Sequence, residues 1–335
     1  MGVAIAMNNW YFDGTDVLVE KIEESGGFVN AHSHLDRAYT VTASDFEHIV
    51  EKHLFEKWKI VNAVKENSSE EDYRNRIFNS SLKLIRDGVK ACLTFVDVDS
   101  FSGHRAIKAA YDVKDQLKSL YDFDLVLASQ TLEGILNKKN RDLFESSLEY
   151  FDVIGSLPRA DGEDNIERHL EYMMGISKDL NKRLHVHVDQ LNTSEESETE
   201  ILARMCIKAN YYDKATAVHS ISLAAHDKKY RNKVYSLAKD AGLSFVSCPS
   251  AWIDHRRSEE MSVTHNSVTP IDELVPNGIT VALGTDNIFD IYKPFSDGDM
   301  FFELRLLLES THFYNIDELV KISTVNGRKV LGLLD

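Results

Sequence analysis

Cysteine is scarce and unpatterned: a chain of 335 residues carries three, Cys92, Cys206 and Cys248, with no CxxC spacing. That rules out a disulfide framework and a thiolate zinc site, and it fits a reducing compartment. Also lacking is any apolar run of membrane length, and the opening MGVAIAMNNWYFDG has neither a basic segment nor a sustained apolar stretch. The expectation is a cytoplasmic protein without a membrane partner. Positive charge is in deficit, 38 Lys and Arg against 54 Asp and Glu, for a formal net charge of −16. The mean field therefore repels nucleic acid and suits small neutral or cationic substrates. Internal repeats, low-complexity tracts and interdomain linkers are missing too.

What is present is ample core material, 43% hydrophobic residues with 10% aromatics. Eight short apolar runs stand apart, separated by longer helical segments: FVNA (28–31), KACLTFVDV (90–98), FDLVLAS (123–129), FDVIGSL (151–157), RLHVHV (183–188), KATAVH (214–219), LSFVSC (243–248) and GITVALG (278–284). Most read as strands covered on both faces, the pattern of a parallel sheet. Segments 106–119, 165–178, 196–209, 230–241 and 301–309 carry apolar residues at helical spacing. Eight strand and helix units predict one closed (β/α)₈ barrel over residues 1–335, with an open doubly wound sheet as the alternative. Two connections are long. Residues 37–89 contain amphipathic stretches for two or three helices, expected as a helical insert beside the barrel mouth. Residues 249–274 have little periodicity and are expected as a loop over the active site.

The chemistry-bearing residues fall at the strand ends, where barrel enzymes place their sites. In Asn30-Ala31-His32-Ser33-His34 the two histidines, two apart on an extended run, point to one face. The fifth run ends in His185-Val186-His187-Val188-Asp189-Gln190, the sixth in Val218-His219-Ser220 and the eighth in Gly284-Thr285-Asp286-Asn287. An HxH pair alone is a weak signal, but four strand ends offering imidazoles and a carboxylate to one mouth suit a divalent ion, Zn²⁺ or Fe²⁺. The competing reading, polar residues in core packing, requires a hydrogen-bond partner for each buried imidazole.

The motifs FVNAHSHLDRAYT, HVHVDQLN, TAVHS and LGTDNIFDIYKP resemble, in order and spacing, the amidohydrolase superfamily, in its branch with cytosine deaminase and the N-isopropylammelide hydrolases. The resemblance runs from about residue 28 to the end and includes STVNGRKVLGL. It implies a distorted barrel with one ion held by His32, His34, His187 and Asp286, and with His219 near the attacking water. Two departures stand out. Ring deaminases of the branch carry a proton-shuttling glutamate three residues after the fifth-strand ligand, where this chain has Gln190, an amide unable to transfer protons. A substrate-binding glutamine of cytosine deaminase corresponds to Leu132 in TLEGIL, which argues against cytosine itself. The small β-sandwich common in the superfamily is expected to be absent or vestigial, which leaves apolar surface that a homo-oligomer would cover.

The expected reaction is hydrolysis of a C–N bond in a small molecule, an amide, amidine or ring amine. The ion would acidify a water, and Asp286 would take its proton and return it to the leaving nitrogen. His219 would hydrogen-bond the hydroxide or the oxyanion, and Gln190 would bind substrate without carrying a proton. Gln130, Leu132, Asn287 and Tyr292 are candidate substrate contacts, with Asp189 and Glu133 as alternative proton carriers. His255, Arg256, Arg257 and His265 offer positive charge on the long loop. Cys248 lacks a paired base and is not expected to be a nucleophile. The other zinc deaminase class needs P-C-x-x-C, which is missing. A second function class, a metal-retaining protein that binds a ligand or partner without turnover, is prompted by Gln190; retention of Asp286 argues for catalysis.

Overall fold

The computed structural model describes residues 14–42, 49, 52, 54–251 and 266–334. Eight parallel strands follow one another in sequence order: β1 (Phe28–Ser33), β2 (Val89–Asp97), β3 (Asp124–Gln130), β4 (Val153–Ser156), β5 (Arg183–Val188), β6 (Ala215–His219), β7 (Ser244–Ser247) and β8 (Val281–Leu283). The sequence-predicted runs coincide with all eight to within a few residues. A parallel pair needs a crossover, which is why longer helical segments separate the runs. The helices Arg105–Tyr121, Ile166–Asp179, Glu198–Lys208, Lys228–Ala241 and Met300–Thr311 occupy the segments read as helical.

The sheet is closed where β1 meets the residues after β8. Thr285 and Asp286 N–H donate to His32 O at 3.1 and 3.0 Å, and His34 N–H donates to Asp286 O at 2.9 Å. Asn30 reinforces the seam: its amide donates to Thr285 Oγ1 at 2.9 Å and its oxygen accepts from Thr285 N–H at 3.2 Å. The two backbones approach so closely that a Cβ on Gly284 would stand 2.8 Å from His32 Cβ and 2.9 Å from His32 O. Only glycine fits there.

Alternation along each strand divides the core into two layers. On β2, Ala91, Leu93 and Phe95 fill the barrel interior, while Cys92 and Val96 face the surrounding helices. Val330 and Leu331, on the last helix, Val325–Leu331, belong to the interior cluster.

Two helices of the insert between β1 and β2 lie wholly within the described residues, and they have different duties. Leu54–Asn67 brings Trp58 to the barrel mouth. Glu70–Arg86 packs on Arg105–Tyr121 as an ordinary outer helix, tied by Arg74 to Asp112 at 2.8 Å. Between them Ser69 forms a capping box, its hydroxyl accepting from Asp72 N–H at 3.2 Å while the Asp72 carboxylate accepts from Ser69 N–H at 2.8 Å. Of these two helices only Leu54–Asn67 serves the mouth. Of the long loop after β7, a 3₁₀ turn at Pro249–Ala251 and the short helix Ile271–Leu274 are described. His255, Arg256, Arg257 and His265 lie outside the described residues. The helix Gly14–Glu24 precedes the barrel and was not anticipated; Lys21 reaches Asp317 at 3.0 Å. Among the described residues no strand lies outside the eight-stranded sheet, and no helix is long and apolar enough to cross a membrane.

Candidate metal centre and substrate pocket

His32 and His34 sit at the end of β1, His187 near the end of β5, His219 at the end of β6 and Asp286 just past β8. All five are buried. Asp286 Oδ1 lies 3.3 Å from His32 Nε2 and 3.2 Å from His34 Nε2, and His187 Nε2 lies 3.4 Å from His34 Nε2. The His219 ring centroid is 5.2 Å from that of His32 and 5.4 Å from that of His187.

Two sets of donor atoms each fall within 4.8 Å of one another, His32 with His34 and Asp286, and His32 with His187 and His219. His219, expected beside the water, is thus as close to the cluster as the expected ligands. His185, the other histidine of β5, points to the opposite end of the barrel and contacts Val330 O at 2.9 Å. It is a core residue.

The backbone turns sharply at two of these positions. His219 has φ 72° and Asp286 φ 62°, left-handed values unusual for residues with a Cβ. Such strain, about 1–3 kcal/mol per residue, persists where surrounding contacts over-determine it and clusters at functional sites. Here the supports are visible: Thr269 Oγ1 donates to His219 O at 2.6 Å, and the β1 seam holds Asp286 on both sides.

Electrostatics keep the imidazoles of His34, His187 and His219 neutral and the carboxylate charged. Burial depresses His34 and His187 well below the ordinary histidine value, helped by Arg37 at His34 and by neighbouring histidines at His187. Burial also lowers His219 to about 4. Burial alone would raise Asp286, but the His32 and His34 imidazoles beside it hold it well below the usual carboxylate range. Neutral imidazole lone pairs and one carboxylate are the donor set of a zinc or iron site. Neither ring nitrogen of His32 makes a hydrogen bond among the described residues. Asp286 to His32 and His34, and His34 to His187, are separated by 3.2–3.4 Å, close to the ~3.4 Å between ligands about 2.1 Å from a tetrahedral ion. His187 Nδ1 faces Ser156 O at 3.3 Å, the outer contact that turns Nε2 inward.

A small cavity opens against the cluster. Its wall includes Gln130, Leu132, Gln190, Asn287 and Tyr292, all singled out from the sequence, together with His34, His187, His219 and Asp286. It also includes Arg37, Trp58 and Leu157, which the sequence reading missed. Arg37 had a legible signal, three residues after His34 in HSHLDR; Trp58 and Leu157 depend on tertiary placement.

The alternative proton carriers are elsewhere. Both Asp189 oxygens are occupied by Glu198 N–H at 2.7 Å and Thr199 N–H at 3.2 Å, so that side chain anchors a helix start. Glu133 is exposed and bonded to Asn62. Burial pushes the Cys248 thiol well above its ordinary value, which suppresses the thiolate a nucleophile requires.

Comparison with known proteins adds an independent line. The sequence pattern of the amidohydrolase family matches residues 26–335. An uncharacterised Haemophilus influenzae protein is 39% identical over 260 residues, 77% of this chain and 93% of that protein. N-isopropylammelide isopropyl amidohydrolase of Pseudomonas sp. strain ADP is 25% identical over 316 residues, 92% of this chain and 75% of that enzyme. The crystal structure of 5-methylcytosine deaminase from Klebsiella pneumoniae, liganded with 5-fluorocytosine, superposes with a TM-score of 0.83 at 26% identity. That match covers 92% of this chain and 75% of the deaminase.

Proposed function

The chain belongs to the amidohydrolase family and is a hydrolytic enzyme acting on non-peptide C–N bonds, and from that premise we propose that His32, His34, His187 and Asp286 hold one divalent ion, Zn²⁺ or Fe²⁺, and that Asp286 shuttles the proton. The observation that carries this reading is the convergence of unprotonated donor atoms, 3.2–3.4 Å apart, on one wall of a buried pocket. When bound, the ion supplies acidification of a water molecule toward a neutral pKa.

The chain's own groups account for the remaining work. Asp286, ionised and buried, accepts the proton of the attacking water and returns it to the leaving nitrogen, so the C–N bond is replaced by C–O with no net proton change. His219, neutral at pH 7, donates a hydrogen bond to the oxygen that gains charge as the carbon becomes tetrahedral. Gln190 offers an amide to the substrate and cannot move a proton, so the reaction proposed requires no protonation of a ring nitrogen from that position.

Elemental analysis of the purified protein, combined with turnover of a panel of ring amines and amides, tests the proposal. About one equivalent of zinc or iron per chain is expected, with His34→Ala losing it. A chain that purifies without metal from supplemented medium, or a His34→Ala variant retaining full metal, rules the assignment out.

A further inference from the structure

Composition favours neutral or cationic substrates, yet the pocket wall contains a guanidinium. Arg37 lies in the 3₁₀ turn Leu35–Arg37 that follows β1, directly after the histidine pair. It is 7% exposed, and its carbon Cζ stands 4.8 Å above the Tyr292 ring. A guanidinium has five donor N–H groups. Among the described residues Nε has no hydrogen-bond partner, and the ion pair to Asp97 is long, 3.9 Å from Nη1.

Asp36, Asp97 and Asp290 neighbour the guanidinium electrostatically, and neither oxygen of Asp97 nor Oδ1 of Asp36 has a hydrogen-bond partner among the described residues. Asp97 is nearer to Lys65, at 3.3 Å, and Lys65 also bonds Asp99. Asp290 accepts from Tyr292 N–H at 2.9 Å, Lys293 N–H at 3.0 Å and the Asn287 amide at 2.8 Å. One oxygen of Asp36 accepts from Asp97 N–H at 3.1 Å. A buried cation with unmet donors is costly unless something in the functional state accepts from it. Two acceptor oxygens share its wall, Gln130 Oε1 and Asn287 Oδ1, both buried and without partners among the described residues.

We infer that the substrate is a planar acid, with oxyanion oxygens that accept from Arg37 and with N–H groups that Gln130 and Asn287 take up. The inference rests on the pocket being the hydrolytic site and narrows its substrate class. Arg37 fits the role because a planar fork meets two oxygens of a carboxylate at once and stays charged when buried. The Tyr292 ring lies against the guanidinium, 4.8 Å from Cζ to the ring centroid, a cation–π contact.

The test uses a matched pair of probes, pyrimidine-4-carboxylate and pyrimidine-4-carboxamide. Binding to the full chain is followed by quenching of Trp58, with and without metal. Wild type is expected to prefer the carboxylate by roughly 10- to 100-fold, the worth of a hydrogen bond to a charged group. The preference should survive metal removal, shrink in Arg37→Lys and vanish in Arg37→Met. Equal binding of the two probes by wild type overturns the inference, and that result needs no variant to fold. A preference that disappears with the metal but persists in Arg37→Met also overturns it, because the ion is then the carboxylate receptor. Metal content and turnover are measured on the same preparations. Hydrolysis by a metal-bearing chain without an Arg37-dependent preference defeats this inference alone, whereas a chain with neither metal nor hydrolysis defeats the reading on which it rests.

Discussion

Replacing Gly284 with alanine should damage the site from outside the pocket. The added Cβ would meet His32 Cβ at 2.8 Å, His32 O at 2.9 Å and His32 N at 3.0 Å. Two of those three atoms are backbone in the closing seam and cannot rotate aside, so β1 and β8 must separate by several tenths of an ångström. Overpacking of this kind costs about 1–3 kcal/mol. At roughly 2–4 °C per kcal/mol, the melting midpoint should fall by about 2–12 °C. Function should suffer more than stability, since the displaced residue is itself one of the proposed ligands. Gly175→Ala is the control, in the helix Ile166–Asp179 with nothing within 4 Å of a built Cβ. It should raise stability by about 0.4–1 kcal/mol. Calorimetry and metal content of both variants decide the matter. A Gly284→Ala protein with wild-type melting and full metal would refute the argument that seam closure sets the His32 position.

Asp286→Asn should lose several orders of magnitude in turnover, because proposed ligation and general-base work vanish together and the latter alone is worth about 10²–10⁴-fold. Gln190→Ala should cost up to about tenfold, the worth of one hydrogen bond. Gln190→Glu should create or raise deamination of a nitrogen heterocycle. If Gln190→Ala abolishes turnover while Asp286→Asn keeps it, another group carries the proton. Glu303, which accepts from Ser250 N–H at 2.9 Å, is raised by burial to about 8 from an ordinary 4.5. Because its folded value is the higher one, its contribution is fully present below about pH 4.5 and is lost as pH climbs through about 8. Metal-stripped Glu303→Gln should therefore gain on wild type in thermal melts between pH 5 and 8, and an unchanging difference would contradict that sign.

The barrel was legible because each strand is covered on both faces and reads as an apolar run bounded by polar residues. RLHVHV matches β5 residue for residue. The clustering of histidines and Asp286 was legible because a two-residue repeat puts His32 and His34 on one face, and four strand ends repeat the signal. Other features were beyond local pattern. The left-handed turns at His219 and Asp286 arise from contacts with Thr269 and β1 that no sequence window contains. Asp189 looks like a proton carrier beside His187 until the helix at Glu198 is seen to occupy both its oxygens. Trp58 belongs to an amphipathic helix whose pattern does not say which face meets the mouth. Arg37 stood beside the histidine pair in HSHLDR, but a net charge of −16 drew attention away from buried cations.

The Asn30–Thr285 bond joins residues 255 positions apart, and the histidine pair and Asp286 lie on either side of it. During synthesis the histidines of β1 emerge early and wait for nearly the whole chain before their carboxylate exists. Barrel closure and completion of the cluster are then one event, late and nonlocal, of the sort that slows folding. An ion that binds only the closed state pulls that step forward, by about 2.7 kcal/mol at a free concentration a hundred times its Kd. With the proposed ion bound at this cluster, cellular metal supply would govern how much of this protein persists as well as how fast each molecule works.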